Sequence, residues 1–119
     1  MLNRHRLLLA SCLFSLLIPQ LPAQDDAADP ALELYFAANA AYNRKLYPIA
    51  AGNYQSFLSR YAAHPKAHLA RYGLGLSQFA LKQYDKAVGE FLKLINEPKL
   101  DSKIERGRLT LLHAQCLLY

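Results

Sequence analysis

The stretch Leu74-Gly75-Leu76-Ser77-Gln78-Phe79-Ala80-Leu81-Lys82-Gln83-Tyr84-Asp85-Lys86-Ala87-Val88-Gly89-Glu90-Phe91 decides the fold. Before Lys82-Gln83, apolar residues recur as Leu69, Tyr72, Leu76 and Phe79; after it they recur as Ala87/Val88, Phe91/Leu92 and Ile95. Both series have the three-and-four spacing of one helix face. The segment therefore reads as two helices and a short turn, the first over about 66–82 and the second opening at Tyr84 and Asp85. Asp85 sits near the positive start of its helix, where a carboxylate is favoured by ~0.3–1 kcal/mol.

Sliding the chain by 37 residues repeats the pattern: Tyr35 falls on Tyr72, Tyr42 on Phe79, Lys45 on Lys82, Tyr47 on Tyr84, Ala50 on Ala87 and Tyr54 on Phe91. Periods of this length mark stacked units, none of which buries its apolar face alone. The earlier unit reads as a helix over 31–45, entered through Asp29-Pro30, and a second from Pro48 that ends near Ala62-Ala63-His64-Pro65. Beyond the Pro98 turn, Ser102-Lys103-Ile104-Glu105 has capping-box spacing and predicts a fifth helix from there to Tyr119. No segment alternates apolar and polar residues in a sustained way, so the expected class is all-α. The expected units are 31–63, 66–98 and the first helix of a third at 102–119.

Leu74-Gly75 followed by Tyr84-x-x-Ala87-x-x-x-Phe91 resembles the tetratricopeptide repeat family, and Tyr47-x-x-Ala50-x-x-x-Tyr54 repeats its second half. Ala70-Arg71-Tyr72-Gly73-Leu74-Gly75-Leu76 and Gln83-Tyr84-Asp85-Lys86-Ala87 look most like the bacterial envelope branch of that family. That branch includes the lipoprotein subunit of the outer-membrane β-barrel assembly machine and the coordinator of the Tol-Pal system. The resemblance implies antiparallel helix pairs stacked as an α-solenoid. Gly75, Ala50 and Ala87 would then be the small residues that let helices approach, with Tyr54, Tyr84 and Phe91 filling the gaps. Ala114 would stand at the Gly75 position of the third unit. The chain departs from the pattern in carrying Arg71 where a bulky residue is usual, Gln78 where an aromatic is usual, and a longer unit.

The resemblance also implies a groove lined by the first helix of each pair. Tyr35, Asn39, Tyr42 and Asn43 of the first unit, and Tyr72, Leu76 and Phe79 of the second, are the candidate partner-binding residues. Aromatic rings bring contact area at little entropic cost, and Asn amides pair with an extended backbone. For Tyr72 and Phe79 inter-helix packing is the competing, and favoured, assignment. The expected partner is a protein or peptide, with no catalysis, metal, cofactor or nucleic acid. A clamp for a terminal carboxylate is not expected, because Tyr35 and Tyr72 occupy its basic positions.

Chemistry has few candidates. His64 and His68 are four apart but separated by Pro65, with no further metal ligand nearby in sequence. Cys116 follows His113 by three without an orienting acid, and reads as a buried small apolar residue. Gly73-Leu74-Gly75 lies inside a helical pattern and follows no strand, so it is not a phosphate loop.

The N-terminus reads as a targeting segment. Asn3-Arg4-His5-Arg6 is basic, Leu7 to Ile18 is apolar, and Pro19-Gln20-Leu21-Pro22-Ala23 ends on a small residue. That is the layout of a secretory signal peptide over 1–23, followed by a flexible acidic segment over 24–30. It predicts export to the periplasm and no stable membrane span after cleavage. An uncleaved anchor, or lipidation at Cys12, is the less favoured reading.

Composition sets the outer bounds. The 119 residues are 53% apolar and 19% charged, with 5 Gly, 6 Pro and 2 Cys, which excludes disordered, collagen-like and disulfide-scaffold classes. The net charge of +5 includes Arg4 and Arg6 of the leader and argues only weakly for nucleic acid. The apolar end Leu117-Leu118-Tyr119 contrasts with the polar outer face of a terminal repeat. It predicts that the chain lacks at least one helix, melts at low temperature, and is open to self-association through its last helix. The competing function is an N-terminal docking segment of a larger exported protein.

Overall fold

The computed structural model describes residues 28–119, and the leader and most of the acidic segment lie outside them. Five helices follow one another: α1 (Pro30–Asn43), α2 (Tyr47–Arg60), α3 (Ala67–Ala80), α4 (Tyr84–Ile95) and α5 (Arg106–Leu118). The described residues contain no strand. Each helix packs on the next, and α1 also touches α3.

Neighbouring helices run antiparallel. Tyr35, early in α1, meets Phe57, late in α2, with ring centroids 5.9 Å apart, while Tyr42 meets Tyr47 across the turn at 5.4 Å. In the same way Tyr72 meets Phe91, and Phe79 meets Tyr84. Tyr84, at the start of α4, stacks on Tyr119, just past the end of α5.

Local chemistry sets the helix ends. Asp29 caps α1 by accepting the Ala31 N–H at 2.9 Å, with Pro30 in the first turn, where no N–H is needed. α1 and α3 stop two residues before the expected lysines because both close in the same way. Lys45 (φ 61°) and Lys82 (φ 60°) take the left-handed conformation. The next residue then donates back into the helix, Leu46 N–H to Ala41 O at 2.9 Å and Gln83 N–H to Gln78 O at 2.8 Å. The lysines themselves donate to Tyr42 O and Phe79 O, completing a Schellman closure in each.

α5 begins at Arg106, four residues later than the capping-box reading of Ser102-Lys103-Ile104-Glu105. The Ser102 side chain caps nothing; instead Asp101 turns on itself, its carboxylate accepting the Lys103 N–H at 2.9 Å. Ile104 is buried and pins this turn to the core, and Glu105 becomes the residue flanking the helix. Arg106 reaches back to α4, donating to Ile95 O at 2.9 Å and Glu97 O at 2.6 Å, so the start of one helix satisfies carbonyls at the end of another.

Two cores result. The first joins Ala31, Ala38, Ala41, Ala50, Tyr54 and Phe57 to Ala70 and Leu74 of α3. The second joins Ala87, Phe91, Leu94, Ile104, Leu109 and Cys116, with Leu69, Tyr72, Leu76 and Phe79 of α3 packed against it. α3 therefore belongs to both. Its two glycines face the aromatic rings on either side. A Cβ on Gly73 would sit 2.7 Å from Tyr54 Cε1, and one on Gly75 would sit 2.6 Å from Phe91 Cε1.

Candidate binding face

Ala50 and Ala87 are fully buried, Gly75 lies under the Phe91 ring, and Tyr54 and Phe91 fill the inter-helix space. Tyr84 is half-buried between Phe79 and Tyr119. Ala114 is different: it is exposed, while Leu109 and Cys116 form the buried stripe of α5. At the 37-residue interval Gly75 falls on Leu112, which is half-buried, and Ala114 falls on Ser77, so the expected register of the third unit is off by two residues.

The seven candidate binding residues divide. Tyr35 leans on Tyr54 and Phe57, and Leu76, Tyr72 and Phe79 pack against the second core. These four are half-buried packing residues. Asn39 accepts a 2.6 Å hydrogen bond from the Tyr54 hydroxyl through Oδ1, which leaves its amide N–H groups for other partners. Asn43 is exposed at the end of α1. Tyr42 is half-buried beside Tyr47.

Tyr42 lies on α1, which also touches α3. Burial pushes its hydroxyl above the ordinary value of 10.0, the phenols of Tyr47 and Tyr72 push the same way, and Arg108 opposes them. Residues of α1, α3 and α5 thus share one electrostatic neighbourhood. Arg108 was missed in the sequence because it lies outside the clearest repeat motif. The signal was present, since Arg108 stands 37 residues after Arg71. Arg71 is occupied in an ion pair with Glu90 at 2.6 Å, whereas Arg108 is exposed and pairs with no carboxylate among the described residues. The face therefore offers phenol hydroxyls, an Asn amide and one available guanidinium, donors suited to backbone carbonyls and carboxylates.

An open pocket of about 370 Å³ lies elsewhere, at the α3–α4 turn, lined by Lys82, Gln83, Tyr84, Asp85, Lys86 and Tyr119. None of the seven candidates lines it.

His64 and His68 are structural fasteners. His64 accepts the Lys66 N–H at Nδ1 and faces Asp29 through Nε2 at 3.4 Å; His68 accepts the Asp101 N–H at Nδ1 and faces Glu97 at 3.7 Å. His64 thereby joins the α2–α3 turn to the residue capping α1, and His68 joins the start of α3 to the α4–α5 turn. Burial pushes the Cys116 thiol above its ordinary value, opposite to the direction that activates a nucleophile. Among the described residues no three of His, Cys, Asp and Glu converge as a metal site, and no helix is long and apolar enough to cross a membrane. No family model, curated protein or solved structure matches the chain.

Proposed function

We propose that the chain is an exported, non-catalytic scaffold of the tetratricopeptide type, which holds a protein or peptide segment against the face shared by α1, α3 and α5. The observation that carries this reading is the geometric duplication of the helical hairpin. At an interval of 37 residues the left-handed lysine, the hydrogen bonds that close the turn and the crossed aromatic pair all recur. Tandem hairpins that each contact only their neighbours build an extended face in place of a single deep cleft. On that face Asn43, Tyr42, Tyr72 and Arg108 come from three different helices, as expected for a surface that follows an extended chain.

The test is site-specific photo-crosslinking in the full chain. A crosslinker at Asn43 or Arg108 should capture one and the same partner, and a crosslinker at the exposed Gln55 of α2 should not. Arg108→Glu should abolish the capture at Asn43. Equal capture from Gln55, or capture at Asn43 unaffected by Arg108→Glu, would remove the reading.

A further inference from the structure

The two ends of the bundle differ in charge. One end holds the N-terminus of α1, the α2–α3 turn and the α4–α5 turn, where Asp29, Glu97, Asp101 and Glu105 offset the local cations and two His–carboxylate fasteners join the loops. The other end holds the α1–α2 turn, the α3–α4 turn and the end of α5. Arg44, Lys45, Lys82 and Lys86 are all exposed there. None of them pairs with a carboxylate among the described residues, and the nearby acidic side chain is Asp85.

Apolar side chains are interleaved with these cations. Leu46, just before α2, is 40% exposed and Ile49, in its first turn, is 55% exposed, both close in sequence to Arg44 and Lys45. In the repeat register Ile49 stands where Lys86 stands, and Lys45 where Lys82 stands. Lys45 and Lys82 both occupy left-handed turn positions and are exposed. Between the cations lies the open pocket of about 370 Å³, walled by Lys82, Lys86 and the Tyr84–Tyr119 stack.

We propose that this end of the bundle docks on an anionic phospholipid bilayer. Clustered Lys and Arg are attracted to an anionic surface and release its counterions when they dock. Cations alone would suit any polyanion. The exposed Leu46 and Ile49 among them favour a bilayer, whose interface takes up apolar side chains while the basic groups stay with the phosphates. Neither nucleic acid nor an acidic peptide supplies that apolar layer. Docked this way the helices stand upright on the membrane, with the α1–α3–α5 face running away from the surface and open from the side.

The experiment reports orientation, so that any lipid contact made by residues 1–27 does not decide it. In full chain carrying Cys12→Ser, an environment-sensitive fluorophore is attached at Ile49→Cys or, at the opposite end, at Lys103→Cys. Vesicles of phosphatidylcholine mixed with phosphatidylglycerol should blue-shift the probe at 49 and leave the probe at 103 unmoved. Vesicles of phosphatidylcholine alone should shift neither. Arg44→Gln with Lys86→Gln, both outside the left-handed positions, should abolish the shift at 49 with the helical circular dichroism unchanged. A shift at both positions, at neither, with neutral vesicles, or one that survives the double substitution would overturn the proposal. So would an equal shift at 49 on adding duplex DNA, which would make the end a general polyanion site.

Discussion

The hairpins α1–α2 and α3–α4 share a shape and differ in how polar side chains tie them. In the first, the Tyr54 hydroxyl crosses to Asn39. The equivalent pair in the second is Phe91 and Leu76, both apolar and packed in the core. In the second, Arg71 crosses to Glu90, where the first has Leu34 and Asn53. The polar tie has moved from one pair of positions to another while the turn, the buried alanine and the ring contacts have stayed. What the repeat preserves is volume and backbone geometry, and one cross-helix tie is accommodated at either place.

The comparison is broken most severely at the glycines of α3. Gly73→Ala and Gly75→Ala are each expected to lose about 1–3 kcal/mol, the usual cost of overpacking. Tyr54 is held by Asn39 and Phe91 is fully buried, so neither ring has room to yield. Gly52 and Gly89, equivalent in the two hairpins, have nothing within 4 Å of an added Cβ. Alanine there should stabilise by up to ~1 kcal/mol each through helix propensity. Urea unfolding midpoints of the four variants separate packing from propensity.

Arg71→Leu gives the second hairpin the first one's residue, and should cost about 1–2 kcal/mol by stripping a charged partner from Glu90. Adding Glu90→Asn should restore most of it, because Lys93 is then the only group left without its carboxylate. A double-mutant cycle showing no coupling between the two positions would mean that the ion pair contributes nothing.

Tyr54→Phe copies the second hairpin into the first and should cost about 1 kcal/mol, the net worth of one hydrogen bond. Its signature is in pH. Burial, with Tyr35 and Tyr42 adding to it, pushes the Tyr54 hydroxyl up from 10.0 to about 12. The folded state therefore holds this proton more tightly than the unfolded chain does. The resulting stability is complete below pH 10 and is lost as pH rises towards 12. Wild type should lose more stability across that interval than Tyr54→Phe, as measured by denaturant titration at either end of it.

The smallest effect sharpens the likeness. Lys45→Gly and Lys82→Gly relieve a left-handed residue of its Cβ and should each stabilise by about 0.5–1 kcal/mol, with near-equal values. Unequal values would show that the two turns are less alike than their hydrogen bonds suggest.

The sequence carried the helix count and the absence of strands among the described residues, because these follow from local periodicity, and the resemblance carried Ala50, Gly75 and Ala87 as buried small residues while misplacing Ala114. It matched Lys45 with Lys82 but could not say why lysine stands there, since the left-handed turn is a property of backbone closure. The start of α5 was misplaced because Ser102 and Glu105 have capping spacing, while tertiary burial of Ile104 decides where the chain turns. For the proposed binding face, the family resemblance pointed to α1 and α3 and left α5 out. It could not separate rings facing the groove from rings wedged between helices, because α3 serves two cores and both of its apolar stripes are in use. Arg108 stayed hidden because the clearest repeat motif stops short of it, although its 37-residue spacing from Arg71 was there to be read.

That double duty of α3 bears on how the molecule comes apart. Ala70 and Leu74 anchor one half while Leu69, Tyr72 and Leu76 anchor the other, so the helix is a party wall. Neither room can collapse without opening the other to water. Heating should therefore produce one calorimetric peak in place of a staircase, and a binder that stiffens either half will be felt in the amide exchange of both.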